Sequence, residues 1–454
     1  MATTAPTAQE RTTPRPRNLA FIIGASSLGT LIEWYDFYIY GVLAVFFSQH
    51  FFPAGNPNTA FLASLGIFWT GFVVRPFGAI VFGHLGDLIG RKFTFMLTLG
   101  LMGSATFVIG LLPDYQTIGV LAPVLLVTLR VVQGLALGGE YGGAATYVAE
   151  HAPDGRRGFY TAWIQTTATL GIVAALLVIL ICRSLLGDQA FATWGWRIPF
   201  LISAILVVVS GYIRLKLAES PLFVRLKLQG KQSKNPARES LVSRRNWGLM
   251  LLALFGATAP EGVVWYTSQF YALFYLTTVV KLSYTTVYLV MMAALVLGAP
   301  FFLVFGSLSD RIGRRNIMTL GFALAVLSYW PVFTWLSVFK GQPVILTLLV
   351  FYMVILVTMV YGPIAAFLVE LFPARIRYTS MSLPYHIGNG VFGGGVPFLG
   401  GLIASATGVA LTGLLYPMGV AALGVVVSLI GLREQTHKIE IWDEVGGASG
   451  SEGR

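Results

Sequence analysis

Twelve times along this chain the sequence runs mostly apolar for about 20 residues or more, the length a helix needs to cross a bilayer. These runs lie near 20–47, 61–83, 93–112, 119–149, 160–187, 194–216, 247–280, 284–308, 316–337, 343–369, 378–407 and 411–432 of 454 residues. In hydrocarbon every backbone polar group must be satisfied internally, so each run is predicted to be a helix. Composition agrees. Hydrophobic residues make up 56% of the chain and charged ones 11%, against about 25% charged in soluble domains. The fold class predicted is an all-α integral membrane protein of twelve transmembrane helices.

The net charge of +11 does not point to nucleic acid, because the basic residues sit in short loops between apolar runs. They sort by loop parity. Arg91 and Lys92, Arg156 and Arg157, the cluster from Arg214 to Arg245, Arg314 and Arg315, and Arg375 and Arg377 share one side; the other side has little beyond Arg183, Arg197, Lys281 and Lys340. By the positive-inside rule both termini are expected in the cytoplasm of a bacterial inner membrane. The lone cysteine, Cys182, excludes a disulfide framework and a cysteine metal site and reads as packing. No cofactor and no metal site are expected.

The longest hydrophilic connection, 217–246, divides six runs from six. Across it the sequence repeats: "GHLGDLIGRK" at 83–92 returns as "GSLSDRIGRR" at 306–315, and "EHAPDGRR" at 150–157 as "ELFPARIR" at 370–377. The organisation predicted is a tail (1–18), a six-helix bundle (19–216), the linker, a second bundle (247–432) and a second tail (433–454). Two pseudo-symmetric halves of this kind build transporters with a binding site between them.

The paired Gly-x-Leu-x-Asp-x-x-Gly-Arg-Lys/Arg loops resemble the signature of the major facilitator superfamily. Within it, "EWYDFYIYG", "RPFGAIVFGHLGDLIGRK", "QGLALGGEYGGAATYVAE", "RRGFYTAW" and "WGWRIPF" resemble the metabolite:proton symporter family. The likeness covers most of the first half and reaches "ELFPARIRYTSMSLPYHIGNGVFGG" in the second. It implies proton-driven uptake of a small metabolite by alternating access, with no enzymatic activity. No coiled-coil tail of the osmosensing members follows the last run.

The residues themselves carry a matching chemistry. Glu33 and Asp36 stand inside the first run, three residues apart on one helix face with Tyr40, and acids at that depth mark ion or proton paths. Counted at 1.5 Å per residue, Asp36 and Arg130 of the fourth run both lie about 17 Å from the outer surface, so the two are expected to meet. Superfamily members resemble this arrangement, which makes Asp36 the expected proton carrier, Arg130 its switch and Glu33 the second acid. Arg75 is expected either to grip a substrate carboxylate by a bidentate fork or to bond the broken helix at Pro76. Gln133 follows Arg130 on one face, and Gln165 lies in the fifth run. Glu261, Trp265, Tyr266 and Gln269 in the seventh run and His386 and Asn389 in the eleventh complete the expected binding residues. Trp34, with Tyr38, Trp265 and Tyr266, offers either a cage for a quaternary ammonium or a cover for an aromatic acid.

The repeated loops read as latches of the outward-open state. Asp87, Arg91 and Lys92 form one, Asp310, Arg314 and Arg315 the other; Glu150 with Arg157 and Glu370 with Arg377 supply the matching parts, and Glu140 closes the inner gate. No nucleophile elbow, metal-binding His pair or phosphate loop is present. The function predicted is a proton-coupled symporter, working as a monomer, for a monocarboxylate or zwitterion. A di- or tricarboxylate symporter and a nontransporting sensor are the alternatives.

Overall fold

A computed structural model describes residues 16–53, 57–89, 91–153, 155–215, 228 and 236–432. Twelve long helices follow one another: α1 (Pro16–His50), α2 (Pro57–Gly86), α3 (Arg91–Leu111), α4 (Leu121–His151), α5 (Arg157–Leu186), α6 (Gly195–Tyr212), α7 (Arg244–Val279), α8 (Tyr284–Ile312), α9 (Arg314–Val338), α10 (Pro343–Leu371), α11 (Arg377–Thr407) and α12 (Ala410–Gly431). The described residues contain no strand. The tails and most of the linker lie outside them, as do the side chains of Asp87, Arg91 and Lys92. Within the expected linker Pro236–Val242 is helical, and Asn246 at the start of α7 donates to Ser240 O and to Ser380 Oγ of α11.

Local signals set the helix ends. Ser243 and Ser283 cap α7 and α8 by accepting from the N–H three residues on. Gly313, at φ 97°, makes the turn from α8 into α9, a conformation costly for any residue with a Cβ. Between α3 and α4 Asp114 caps the helix Tyr115–Ile118, and the Thr117 hydroxyl and N–H it accepts from hold its carboxyl below the usual range.

The halves meet where α5 packs on α8 and α2 on α11. Helices cannot be driven together in lipid by apolar area, so close contact relies on small residues. A Cβ on Gly306 of α8 would lie 2.6 Å from the carbonyl of Gly158 in α5. Outward faces are apolar: Val208 (72% exposed), Leu327 (75%) and Ile430 (83%) point away from the bundle. The core they leave is polar at its centre, and there the sequence-predicted residues gather.

Candidate functional site

The break in α2 at Val74 starts its second segment at Arg75, which turns the guanidinium inward. Its carbon lies 4.2 Å from the ring centre of Phe72, 4.4 Å from Phe37 and 5.4 Å from Trp34. Trp34, Phe37, Tyr38 and Gly41 stand at helical spacing, so one stripe of α1 faces the site. Arg75 is fully buried, yet Nε, Nη1 and Nη2 meet no carboxylate or carbonyl; only the Tyr266 hydroxyl stands close to the guanidinium. The expected alternative, bonding of the broken backbone at Pro76, is therefore not realised.

The opposite wall comes from the second half. Tyr38 stacks on Trp265 at 5.2 Å, and its hydroxyl meets that of Tyr266 at 3.4 Å. These positions repeat: Glu33, Phe37 and Tyr38 stand 228 residues before Glu261, Trp265 and Tyr266. Glu261 is buried and accepts from Asn389 Nδ2 at 3.0 and 3.3 Å. Asn389 and His386 belong to a π-helical segment, His386–Gly393, and α7 carries three more at 254–258, 267–271 and 275–279. Such widened turns concentrate at functional sites and re-aim side chains there. Gln269 is buried in one of them, and both polar atoms of its amide lack a partner.

Beside Glu261 a second repeated set joins four helices. Tyr141 and Tyr361 stand 220 residues apart, as do Gln165 and Tyr385. Gln165 Nε2 donates to Tyr141 Oη at 2.8 Å and to Tyr361 O at 3.2 Å; the Tyr361 and Tyr385 hydroxyls meet at 2.8 Å, and Tyr141 stacks on Tyr385. Sequence reasoning had no role for Tyr141 or Tyr361, although "YGGAATYVAE" at 141–150 and "YGPIAAFLVE" at 361–370 show the repeat. Phe37, Phe68, Phe72 and Phe270 carried no signal beyond helical spacing.

Arg130 does not meet Asp36. Its Nη1 donates to Gln133 Oε1 at 2.8 Å and to the Phe37 carbonyl at 3.3 Å, and its Nη2 to the Phe68 carbonyl at 3.4 Å. Depth along the helix was right to within a residue, but Asp36 is turned about 100° from Phe37 and faces Ser203 of α6. Asp36 is fully buried, with the Ser203 hydroxyl beside its carboxyl and no cation paired to it among the described residues. Glu33 is buried on the same helix. Two expected binding residues are committed inside the first half: Gln133 bridges Arg130 and Thr106, and the Tyr40 hydroxyl donates to Ser64 O. Glu140, expected at a gate between the halves, accepts from Thr98 of α3 within its own half.

The two ends of the bundle differ. At one end a cavity of about 740 Å³ opens between α1, α2, α7 and α11, lined by uncharged residues including Gln49, Asn58, Phe61, Tyr271 and Phe274. About one helical turn in from the lining residues Leu65 and Phe274, Phe68 and Phe270, one from each half, meet with ring centres 5.2 Å apart. One helical turn further in are Phe72 and Tyr266 of the Arg75 site. A Cβ on Gly41 would lie 2.7 Å from Phe270 and 2.8 Å from Phe68, so glycine lets this pair close against α1.

At the other end ions bind half to half. Arg314 forks onto Glu370 at 2.9 and 3.2 Å and pairs with Asp310 at 2.6 Å. Asp310 accepts the N–H groups of Gly158 and Phe159 at 2.8 and 3.0 Å, an anion on the N-terminus of α5. Contrary to the local pairing expected, Glu370 reaches Arg157 of the other half and Glu150 reaches Arg377, each at 3.8 Å. The reason is geometric: the ends of α4 and α10 pack on each other, and each packs on the helix that follows the other, α11 and α5. Arg315 instead donates to Leu432 O at the end of α12.

Residues 26–394 match the family description "Major Facilitator Superfamily". The chain belongs to that superfamily. It is 36% identical to the inner membrane metabolite transport protein YhjE of Escherichia coli over 96% of this chain and 99% of that protein. It is 35% identical to the alpha-ketoglutarate permease of E. coli (84% and 87% covered) and 32% to the proline/betaine transporter of Salmonella typhimurium (92% and 84%). The structure of the proton:xylose symporter XylE overlays with a TM-score of 0.71 at 17% identity, covering 94% of this chain and 98% of that one. This major facilitator is a multi-pass membrane transporter of the metabolite-transporting group, not an enzyme.

Proposed function

We propose that this transporter is a proton-coupled symporter that brings a small organic acid, a monocarboxylate or a zwitterion, into the cell by alternating access. The observation that carries the reading is Arg75: a fully buried guanidinium with no anion paired to it among the described residues, ringed by aromatic side chains between the halves. A buried charge without a partner is costly, so its partner is the substrate, and a carboxylate fits its fork. Arg130 argues against a di- or tricarboxylate, since its terminal nitrogens are occupied by Gln133 and two carbonyls.

Asp36 supplies the coupling. An ionised carboxyl there would lack compensation, so in this outward-open conformation it holds a proton. Arg130 is bonded to the carbonyl of the next residue, so a shift of Arg130 on substrate binding moves the backbone that carries Asp36. The cavity end faces outside, the ion-paired end and both termini face the cytoplasm, and the membrane is a bacterial inner membrane, as the loop charges and the name of the E. coli relative suggest. One chain encloses the whole site, so a monomer suffices.

The test is uptake of radiolabelled monocarboxylates, zwitterions, dicarboxylates and citrate into proteoliposomes under an imposed inward proton gradient. Accumulation of a one-carboxylate compound that collapses with a protonophore and is lost in Arg75→Gln supports the reading. Accumulation of citrate alone, or uptake indifferent to the gradient, contradicts it.

A further inference from the structure

Arg75 and Glu261 are opposite charges buried around one site, and they do not pair with each other. Arg75 has no charged partner, only the Tyr266 hydroxyl close by, and Glu261 is held by the neutral amide of Asn389. Both touch the same π-helical turn of α11. Asn389 bonds Glu261, while a Cβ on the next residue, Gly390, would lie 3.5 Å from Arg75 Cδ. The rings of Tyr266 and Tyr361 lie within the electrostatic reach of both charges, and Trp265 stands 4.6 Å from Tyr266 and 6.5 Å from Tyr361 between ring centres. Proteins pair the charges they bury or leave that pairing to a ligand. Here the fold keeps a positive and a negative pole apart, with aromatic faces beside the negative one.

We propose that the site is built for a zwitterion, with its carboxylate forked on Arg75 and its cationic group held between Glu261 and the rings of Trp265, Tyr266 and Tyr361. The proposal rests on the transport function above and narrows its substrate class. A plain monocarboxylate satisfies Arg75 but leaves Glu261 uncompensated. A dicarboxylate sets its second charge against Glu261. A zwitterion neutralises both poles, adds no net charge to a dry site, and gains cation–π contact at the negative end.

Carbon isosteres isolate the cationic pole. Binding of glycine betaine and of 3,3-dimethylbutanoate, and of proline and cyclopentanecarboxylate, is measured by titration calorimetry on the full chain in detergent. At least one zwitterion is expected to bind about tenfold or more tighter than its isostere. Glu261→Gln is expected to bring that ratio near one. Equal or tighter binding of both isosteres, no binding of either zwitterion, or a ratio that survives Glu261→Gln overturns the proposal. The wild-type comparison needs no variant, so a poorly folded Glu261→Gln protein does not blunt the test. Arg75→Gln separates the two levels of the account. Loss of all binding in that variant, with isosteres equal in the wild type, sinks the zwitterion and keeps the carboxylate reading. Binding that survives Arg75→Gln sinks the carboxylate reading itself.

Discussion

The two halves share their mechanical parts and differ in their chemical ones. Glu33 and Glu261, Tyr38 and Tyr266, Tyr141 and Tyr361, Glu150 and Glu370, and Arg157 and Arg377 are all matched by the repeat. Three charged groups of the proposed reaction, Asp36, Arg75 and Arg130, are not, and neither is the neutral Asn389 that holds Glu261. At the same offsets Asp36 faces Val264, Arg75 faces Gly298, Arg130 faces Val350 and Asn389 faces Thr169. Symmetric residues close the ends and the seam of the bundle, where alternating access needs two equivalent arrangements. Asymmetric residues give the centre its positive wall, Arg75, and set Asn389 on the matched acid Glu261. The backbones diverge in the same sense, since α7 holds three π-helical segments while its counterpart α1 runs as one continuous α-helix.

Breaking the asymmetric set should cost most. Arg75→Gln removes the only guanidinium in the central site that meets no carboxylate or carbonyl among the described residues, and losing a buried, hydrogen-bonded charge partner costs about 2–5 kcal/mol. Substrate affinity is expected to fall about 30-fold or more. Arg75→Lys should recover only part of it, because an ammonium cannot reproduce the fork. Titration of both variants against the wild type is the check.

The symmetric set should act on rate rather than affinity. Glu370→Gln strips the fork from Arg314, which keeps Asp310, and removes the carboxylate 3.8 Å from Arg157 at the closed end. A broken buried pair costs about 3–5 kcal/mol, here falling only on the state in which this end is closed. Turnover is expected to drop about tenfold with the substrate KM little changed. Glu150→Gln, which loses a 3.8 Å contact to Arg377, should do less. Initial uptake rates over a substrate series distinguish rate from affinity, and a pure affinity loss in Glu370→Gln would dissolve the division of labour.

Smaller effects are expected at the seam. Gly41→Leu wedges Phe68 and Phe270 apart, and overpacking of this kind costs about 1–3 kcal/mol. A cysteine placed at Tyr266 should then react faster with an external thiol reagent. Tyr38→Phe removes one side of a 3.4 Å hydroxyl contact and should change uptake by about twofold at most.

Much of this was legible in the residues. Hydropathy places twelve helices because hydrocarbon permits no other backbone there, and the two-half repeat shows because Asp87 and Asp310 sit in near-identical loops. Arg75, Glu261, His386 and Asn389 could be picked out because buried polar residues in a span need a reason. What sequence could not give is azimuth and partner. Counting residues set Asp36 and Arg130 at one level, but only rotation about α1 decides that Arg130 finds the Phe37 carbonyl while Asp36 turns to Ser203. Similarly, Glu150 and Arg157 are neighbours in sequence, yet the packing of α4 on α10 hands each a partner from the other half. The π-helical turns that aim Gln269 and Asn389 left no mark in the pattern.

Proton coupling at Asp36 is the central claim, and internal pH reads it most directly. Proteoliposomes loaded with a pH-sensitive dye are given the transported substrate with no gradient imposed. The account predicts internal acidification with the wild type and none with Asp36→Asn, which should still bind substrate because Arg75 is untouched. Equal acidification by Asp36→Asn, or wild-type uptake with no acidification at all, would contradict it.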